Sequence, residues 1–143
     1  MRIELTQEDV LPFLSGVKTK ERCGIMYGTS KPDRVMCSIV HIQEVPNRHP
    51  EPHKEFRING NDVRSKWNGH RIVGVIHTHI MGMRGEPSPA DIGGLYKPEH
   101  YGIVLHVPTK RVTFYDSEGM ITSMKVKDLP SRKDYKALPT RRG

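Results

Sequence analysis

The chain has 143 residues, a net charge of +7 and 35% hydrophobic residues, which fits one domain that can bury a core. No apolar stretch approaches the ~20 residues of a membrane-spanning helix, and the first residues lack the apolar core of a signal peptide. The two cysteines, Cys23 and Cys37, show no close pairing that would indicate a secreted, disulfide-rich fold. We therefore expect a cytoplasmic protein with reduced thiols and no contact with a membrane.

The positive charge is concentrated at the C-terminus. Between Lys125 and Gly143, seven basic residues stand against two acidic ones. Pro130 and Pro139 interrupt this segment, whose composition is typical of a solvated, disordered end. The sequence predicts a domain over residues 1–127 and a basic, flexible tail over residues 128–143. A tail that binds nucleic acid or an acidic partner through its charge is the less favoured alternative.

The first third of the chain predicts a strand, a helix and two further strands. Arg2–Leu5 is the opening strand, and Thr6 with Asp9 forms the capping-box pattern that begins a helix. Pro12 lies inside this helix and is expected to kink or shift it. Strands are predicted at Arg22–Gly28 and Val35–Val45, and a turn between them at Lys31–Asp33.

The rest of the chain alternates between strands and short helices. Val63 and Trp67 lie four residues apart, which predicts a short amphipathic helix over Asn61–Asn68. An apolar run then predicts a strand that leads into His77, and Ser88-Pro89 predicts the start of another helix. Further extended segments are predicted at 55–58, 101–107, 111–115 and 120–126. Strands outnumber helices but helices fall between them, so the fold class is α/β or α+β with a mixed sheet.

His77-Thr78-His79, followed by Ser88 and Asp91, is the strongest functional feature of the sequence. Because side chains alternate along a strand, the two histidines point to the same face. Two imidazoles with a nearby carboxylate can hold a zinc ion and leave its fourth position open. Taken singly, the residues have simpler explanations, since Ser88 and Asp91 fit a helix cap and the histidines fit a frayed strand end.

The two histidines are harder to explain together than separately. Buried polar groups need partners, and ligands bind at the ends of central strands in folds of this kind. A metal ion is the economical partner for two neighbouring imidazoles, and a set of two histidines and one aspartate suits zinc. The sequence therefore predicts one zinc ion per chain, bound by His77, His79 and Asp91.

The order of these motifs resembles the JAMM (MPN-plus) zinc metalloproteases. Their pattern is a glutamate ahead of a glycine-containing strand, then His-Ser/Thr-His, a spacer, and Ser-x-x-Asp. This chain has Glu21 ahead of Cys23–Gly28, followed by His77–His79 and then Ser88–Asp91. The spacer before Ser88 has eight residues, where the family usually has seven. The likeness covers about residues 3–126 and includes further segments at Val45-Pro46-Asn47, Phe56-Arg57-Ile58 and Tyr101–Leu105.

The resemblance implies a cytidine-deaminase-like MPN/JAB fold and a hydrolytic reaction. Zinc lowers the pKa of a bound water towards ~7, Glu21 would take the proton of this water, and Ser88 would help to stabilise the oxyanion. The implied substrate is a protein or peptide, in which a peptide or isopeptide bond is cleaved. Two substrates are implied: a conjugate of a ubiquitin-like protein, or a phage tail-assembly protein. The small size resembles bacterial, archaeal or phage members, and a phage protein would act in the host cytoplasm.

Other functions remain open at this level. The His-Glu-x-x-His pattern of other zinc peptidases is absent, and the cysteines lack the spacing of nucleobase deaminases. A non-catalytic MPN-type scaffold is the main alternative, although such proteins typically lose one or more of the five site residues. The loop histidines His49 and His53 flank prolines and are more typical of exposed residues than of a substrate groove.

Overall fold

A mixed β-sheet forms the centre of the structure, a computed structural model that describes residues 2–15, 19–30, 36–81 and 85–131. Its strands are β1 (Arg2–Glu4), β2 (Cys23–Ser30), β3 (Met36–Val45), β4 (Lys66–Trp67), β5 (His70–His79), β6 (Tyr101–His106), β7 (Arg111–Asp116) and β8 (Gly119–Lys125). The order across the sheet is β1-β3-β2-β5-β6-β7-β8, and the two-residue β4 pairs with β5 beside this row.

The strand directions identify the fold class. β1 runs parallel to β3 and β5 runs parallel to β6, whereas all other neighbours are antiparallel. Two α-helices accompany the sheet, α1 (Gln7–Leu14) and α2 (Pro89–Gly93). In the described residues the edge strands β1 and β8 do not pair with each other, so the sheet is not a closed barrel. The protein is a single mixed α+β domain, which confirms the predicted class at this level.

Each face of the sheet carries its own hydrophobic cluster. Alternate residues of β2 belong to different clusters, Met26 to one and Ile25 to the other, as the pleat requires. The first cluster is covered by α1 through Val10 and Phe13. The second cluster is covered by the segment between β3 and β5 and includes Cys23, Ile25, Tyr27, Val45, Phe56, Ile58, Val63, Trp67, Ile72 and Val75.

An extra residue in β5 decides which of its side chains face the second cluster. Met26 pairs with Gly74 and Tyr27 pairs with Ile72, so Val73 has no partner of its own on β2. As a result Ile72 and Val75 both belong to the second cluster, whereas Val73 belongs to the first. The alternation continues from Val75, so residues 77 and 79 at the end of the strand point to the face away from α1.

Most predicted elements are confirmed, and the start of α1 is built as expected. The Asp9 carboxylate accepts hydrogen bonds from the backbone N–H and the hydroxyl of Thr6, at 2.9 and 2.8 Å. Pro12 lies inside α1, which ends at Leu14, two residues later. The predicted turn at Lys31–Asp33 lies outside the described residues.

The helix predicted over Asn61–Asn68 is wrong. The chain forms a short 3-10 helix at Gly60–Asp62, and Lys66–Trp67 then begins a β-hairpin with β5. Asn68 and Gly69 form its two-residue turn, with φ values of 44° and 81°. Asn-Gly is the preferred pair for such a turn because both residues tolerate positive φ. This local signal outweighs the helical spacing of Val63 and Trp67.

The chain continues to pack beyond residue 127. The Gln7 side-chain amide donates to the carbonyl oxygens of Lys127 and Leu129, at 3.0 and 2.8 Å, and Leu129 is buried in the first cluster. The predicted boundary between domain and tail stays a prediction, and residues 132–143 lie outside the described part of the chain. None of the helices in the described ranges has the length and apolarity needed to cross a membrane. The cytoplasmic location also stays a prediction.

The close approach of β5 and β6 gives a test of the sheet. Gly74 lies opposite Tyr101, and a Cβ atom at position 74 would overlap the Tyr101 carbonyl oxygen, which is backbone and cannot turn aside. We expect Gly74→Ala to lower the free energy of unfolding by about 3 kcal/mol or more, measured by urea denaturation. Gly60→Ala is the matched control, because the space around Gly60 is open. Equal stability of the two variants would contradict the pairing of β5 with β6.

Candidate metal centre

The C-terminal end of β5 presents two imidazoles on one face of the sheet. The Nε2 atoms of His77 and His79 lie 3.2 Å apart. The His77 side chain is fully buried, whereas 19% of the His79 side chain is exposed. Thr78 points the other way, and its hydroxyl accepts a 2.8 Å hydrogen bond from the backbone N–H of Arg22. The predicted pairing of the two histidines on one face is therefore present.

Asp91 reaches the same point from α2. Its Oδ2 atom lies 3.3 Å from the Nε2 atoms of both His77 and His79. The same oxygen accepts a 2.8 Å hydrogen bond from the Ser88 backbone N–H, and the Asp91 N–H donates to Ser88 Oγ at 3.0 Å. The helix cap formed by Ser88 and Asp91 is therefore present, and in the same geometry the Asp91 carboxylate faces both histidines.

The spacing of the three ligand atoms fits a metal ion. The two nitrogens and the carboxylate oxygen form a group in which all atoms lie within 4.8 Å of one another. Tetrahedral ligands at zinc-like bond lengths stand about 3.3 Å apart, and the observed separations are 3.2, 3.3 and 3.3 Å. The separations of these three atoms therefore allow His77, His79 and Asp91 to hold a metal ion.

The charge states of these groups also suit a metal. Burial lowers the pKa of His77, against the opposing effect of Asp91, and so favours the neutral imidazole that binds metals. Burial works to raise the pKa of Asp91, but hydrogen bonds from His77, His79 and the Ser88 backbone outweigh it and hold this pKa well below its usual range. The site therefore offers a carboxylate and a neutral ring at neutral pH.

Glu21 enters the site from the residues just ahead of the neighbouring strand β2. β2 and β5 are antiparallel with Cys23 opposite His77, and the Thr78 N–H donates to the Arg22 carbonyl at 2.9 Å. Continuing this register by one more residue brings Glu21 opposite His79. Glu21 is buried, and this burial raises its pKa to about 7, with Asp91 and Glu55 adding to the rise and His79 opposing it. A carboxyl group with this pKa can exchange protons near neutral pH.

One side chain holds the surroundings of Glu21 in place. The Asn47 amide nitrogen donates to the carbonyl oxygens of Glu21 and Glu55, both at 2.9 Å. Its oxygen accepts from the backbone N–H groups of His49 and Arg57, both at 3.0 Å. Asn47 belongs to the Val45-Pro46-Asn47 segment that resembles the family, and no other pattern in the sequence predicts this role for an asparagine after a strand.

The site opens onto a cleft of about 1130 Å³, and Glu21, His79, Ser88 and Asp91 all contribute to its lining. Ser88 thus reaches the cleft across the eight-residue spacer, of which residues 82–84 lie outside the described chain. His49, expected as an exposed loop residue, also lines the cleft, and its Nε2 atom lies 2.8 Å from Glu55 Oε2. Apolar side chains of the cleft include Phe56, Ile58, Val63, Ile72 and Val75.

The fold is similar to that of solved structures, among them two bacterial proteins. The solution structure of a protein from Desulfitobacterium hafniense matches with a TM-score of 0.60 and 18% identity, over 86% of this chain and 90% of that one. A second solution structure, from Salinibacter ruber, matches with a TM-score of 0.55 and 15% identity, over 91% and 95% of the two chains. At these identities the likeness concerns the fold alone. No protein-family model and no curated protein matches the chain.

Metal binding tests the ligand set directly. We expect the purified protein to bind one Zn²⁺ per chain, measured by isothermal titration after treatment with a chelator. His79→Ala should lose this stoichiometric binding because it removes one of three ligands. His53→Ala, on an exposed turn, removes a histidine outside the site and should leave binding unchanged. Equal binding by His79→Ala and the parent would exclude the site.

The raised pKa of Glu21 predicts a pH dependence of the metal-free protein. Between its ordinary pKa of 4.5 and about 7, the folded state keeps a proton that the unfolded chain releases. This contribution to the free energy of unfolding is present below pH 4.5 and is lost as the pH rises through about 7. Glu21→Gln removes it. With a chelator present, the parent should lose stability relative to Glu21→Gln between pH 4.5 and pH 8, and a constant difference would contradict the burial of this carboxyl.

Proposed function

We propose that this protein is a zinc-dependent peptidase of the JAMM (MPN-plus) type, with an MPN fold, that hydrolyses a peptide or isopeptide bond. The observation that carries the proposal is the presence of Glu21 and Ser88 in the same cleft as His79 and Asp91. A metal site without function would need only its ligands. Here a buried carboxyl group of raised pKa and a hydroxyl group flank the ligands as well.

Zinc is the metal that best suits the donor set. Two imidazole nitrogens and one carboxylate oxygen, with room for a fourth ligand, are typical of catalytic zinc sites. A zinc ion in this place supplies Lewis acidity and lowers the pKa of a water molecule. His77, His79 and Asp91 would hold it, and the remaining steps belong to side chains of the chain itself.

Glu21 is proposed as the general base and then as the general acid. Its carboxylate would take one proton from the attacking water as the water oxygen bonds to the scissile carbonyl carbon. When the C–N bond breaks, Glu21 would return this proton to the leaving amine nitrogen, so that an acid and an amine are released. Burial raises the pKa of Glu21 to about 7 in the metal-free protein. The positive charge of a bound zinc ion would lower this pKa again and so favour the carboxylate that accepts the proton.

Ser88 is proposed to stabilise the oxyanion. Its oxygen already accepts from the Asp91 N–H at 3.0 Å, which sets the position of the hydroxyl. The hydroxyl hydrogen has no acceptor among the described residues and is available to the substrate. Loss of one donor of this kind typically lowers kcat by about 100-fold or more.

The shape of the cleft favours a polypeptide substrate. Its volume of about 1130 Å³ lies at the upper end of the range for ligand pockets and leaves room for several residues of an extended chain. Its walls combine apolar side chains with the charged Lys54, Glu55 and Arg57. We propose an extended protein segment as the substrate, and a conjugate of a ubiquitin-like protein or a phage tail-assembly protein as its source.

Substitution of the base tests the function. We expect Glu21→Gln to retain one zinc per chain and to lose at least about 100-fold in kcat against a fluorogenic peptide library. The loss follows because glutamine cannot accept the proton. Glu51→Gln, an exposed carboxylate of the 46–59 loop, is the control and should behave as the parent.

Two results would overturn the proposal. Normal turnover by Glu21→Gln would remove Glu21 from the reaction. A zinc-loaded parent that cleaves neither the library nor a ubiquitin-like conjugate would favour the non-catalytic scaffold.

A further inference from the structure

His77 is held without a hydrogen bond at one of its two ring nitrogens. Its Nε2 atom faces His79 and Asp91, whereas its buried Nδ1 atom has no hydrogen-bond partner among the described residues. Metal-binding histidines usually donate from the second nitrogen to an oxygen, and this bond sets the orientation of the ring. The orientation of His77 must therefore have another cause.

Two aromatic rings enclose the imidazole. Phe56 stacks on it with ring centroids 4.2 Å apart and an angle of 23° between the planes. Tyr115 approaches its edge at 6.3 Å and 77°. The stacked ring fixes the plane of the imidazole, and Asp91 Oδ2, 3.3 Å from Nε2, selects the edge that faces the metal site.

The backbone on both sides of Phe56 is tied down, so the ring is presented in one place. The Glu55 carbonyl accepts from the Asn47 amide at 2.9 Å, and the Arg57 N–H donates to the Asn47 side-chain oxygen at 3.0 Å. The Arg57 carbonyl accepts from the Arg48 N–H at 2.9 Å. Aromatic pairs at such distances are favourable beyond the area they bury.

We propose that Phe56 is the positioning residue of the metal centre, which holds the plane of His77 by stacking in place of the missing hydrogen bond at Nδ1. This inference rests on the proposed metal site and assigns a role to a residue that is not a ligand. Asn47 links the two parts of the site, because it binds the backbone of Glu21 as well as the backbone around Phe56.

Zinc affinity, not activity, is the readout that tests this role. We expect Phe56→Ala to weaken Zn²⁺ binding by about tenfold or more, the loss typical of groups that orient a ligand, measured by competition with a chromophoric chelator. With Co²⁺ in place of Zn²⁺, its visible spectrum should change, because the His77 nitrogen is no longer held in one direction. Phe56→Tyr keeps the ring and should restore both properties.

Ile58→Ala is the matched control for lost packing. Ile58 lies in the same segment, is half-buried in the same hydrophobic cluster and lines the same cleft. It should lose thermal stability to a comparable extent but keep the zinc affinity of the parent. Tyr115→Phe is a second control, since its buried hydroxyl has no partner in the described part of the chain. It should leave the affinity unchanged.

The outcomes separate the positioning role from the metal site itself. Parent-like zinc affinity in Phe56→Ala, or an equal loss in Ile58→Ala, would overturn the role of Phe56. A loss in Tyr115→Phe would assign the orientation of His77 to the hydroxyl instead. A parent protein that binds no zinc would overturn the proposed function together with this inference. If Phe56→Ala does not fold, Phe56→Leu keeps the apolar bulk without the ring and should show the same loss.

Discussion

The site depends on the register between β2 and β5. Cys23 lies opposite His77, and hydrogen bonds between Arg22 and Thr78 extend the pairing to the strand ends. A shift of one residue would turn every side chain of one strand to the opposite face. The extra residue Val73 then determines that the two imidazoles at the end of β5 face the cleft and not the core under α1. Without this bulge both imidazoles would point into the first hydrophobic cluster.

Asp91 completes the site that the strand register begins, and it does so with a single oxygen atom. One carboxylate oxygen closes the first turn of α2 and faces both histidines. Because the Ser88 N–H already holds this oxygen, it cannot turn away when the protein is free of metal. The ligand geometry is thereby built before binding, and binding does not need to order it.

Sequence reasoning reached the ligands because they are local. His77 and His79 follow from the period of a strand, and Ser88 and Asp91 from a helix-cap pattern that fixes their mutual geometry. The surroundings could not be predicted in this way. Phe56 stacks on His77 from twenty-one positions away and lies in a segment without regular structure. No periodic pattern in the sequence therefore predicts this contact. The hairpin at Asn68-Gly69 has a turn signal in the sequence, and in the folded chain this signal outweighs the helical spacing of Val63 and Trp67.

The polar groups of the site cost the fold stability, and this cost argues for their function. Burial raises the pKa of Glu21. At neutral pH this lowers the free energy of unfolding, because the buried carboxyl either carries a charge or keeps a proton that the unfolded chain would release. The Nδ1 atom of His77 is buried without a partner in the described residues, which is unfavourable for any polar group. Apolar residues at both positions would pack against the second cluster without these penalties. Groups of this kind persist where their chemistry is used. Here one belongs to a proposed ligand, and the other lines the same cleft as His79 and Asp91.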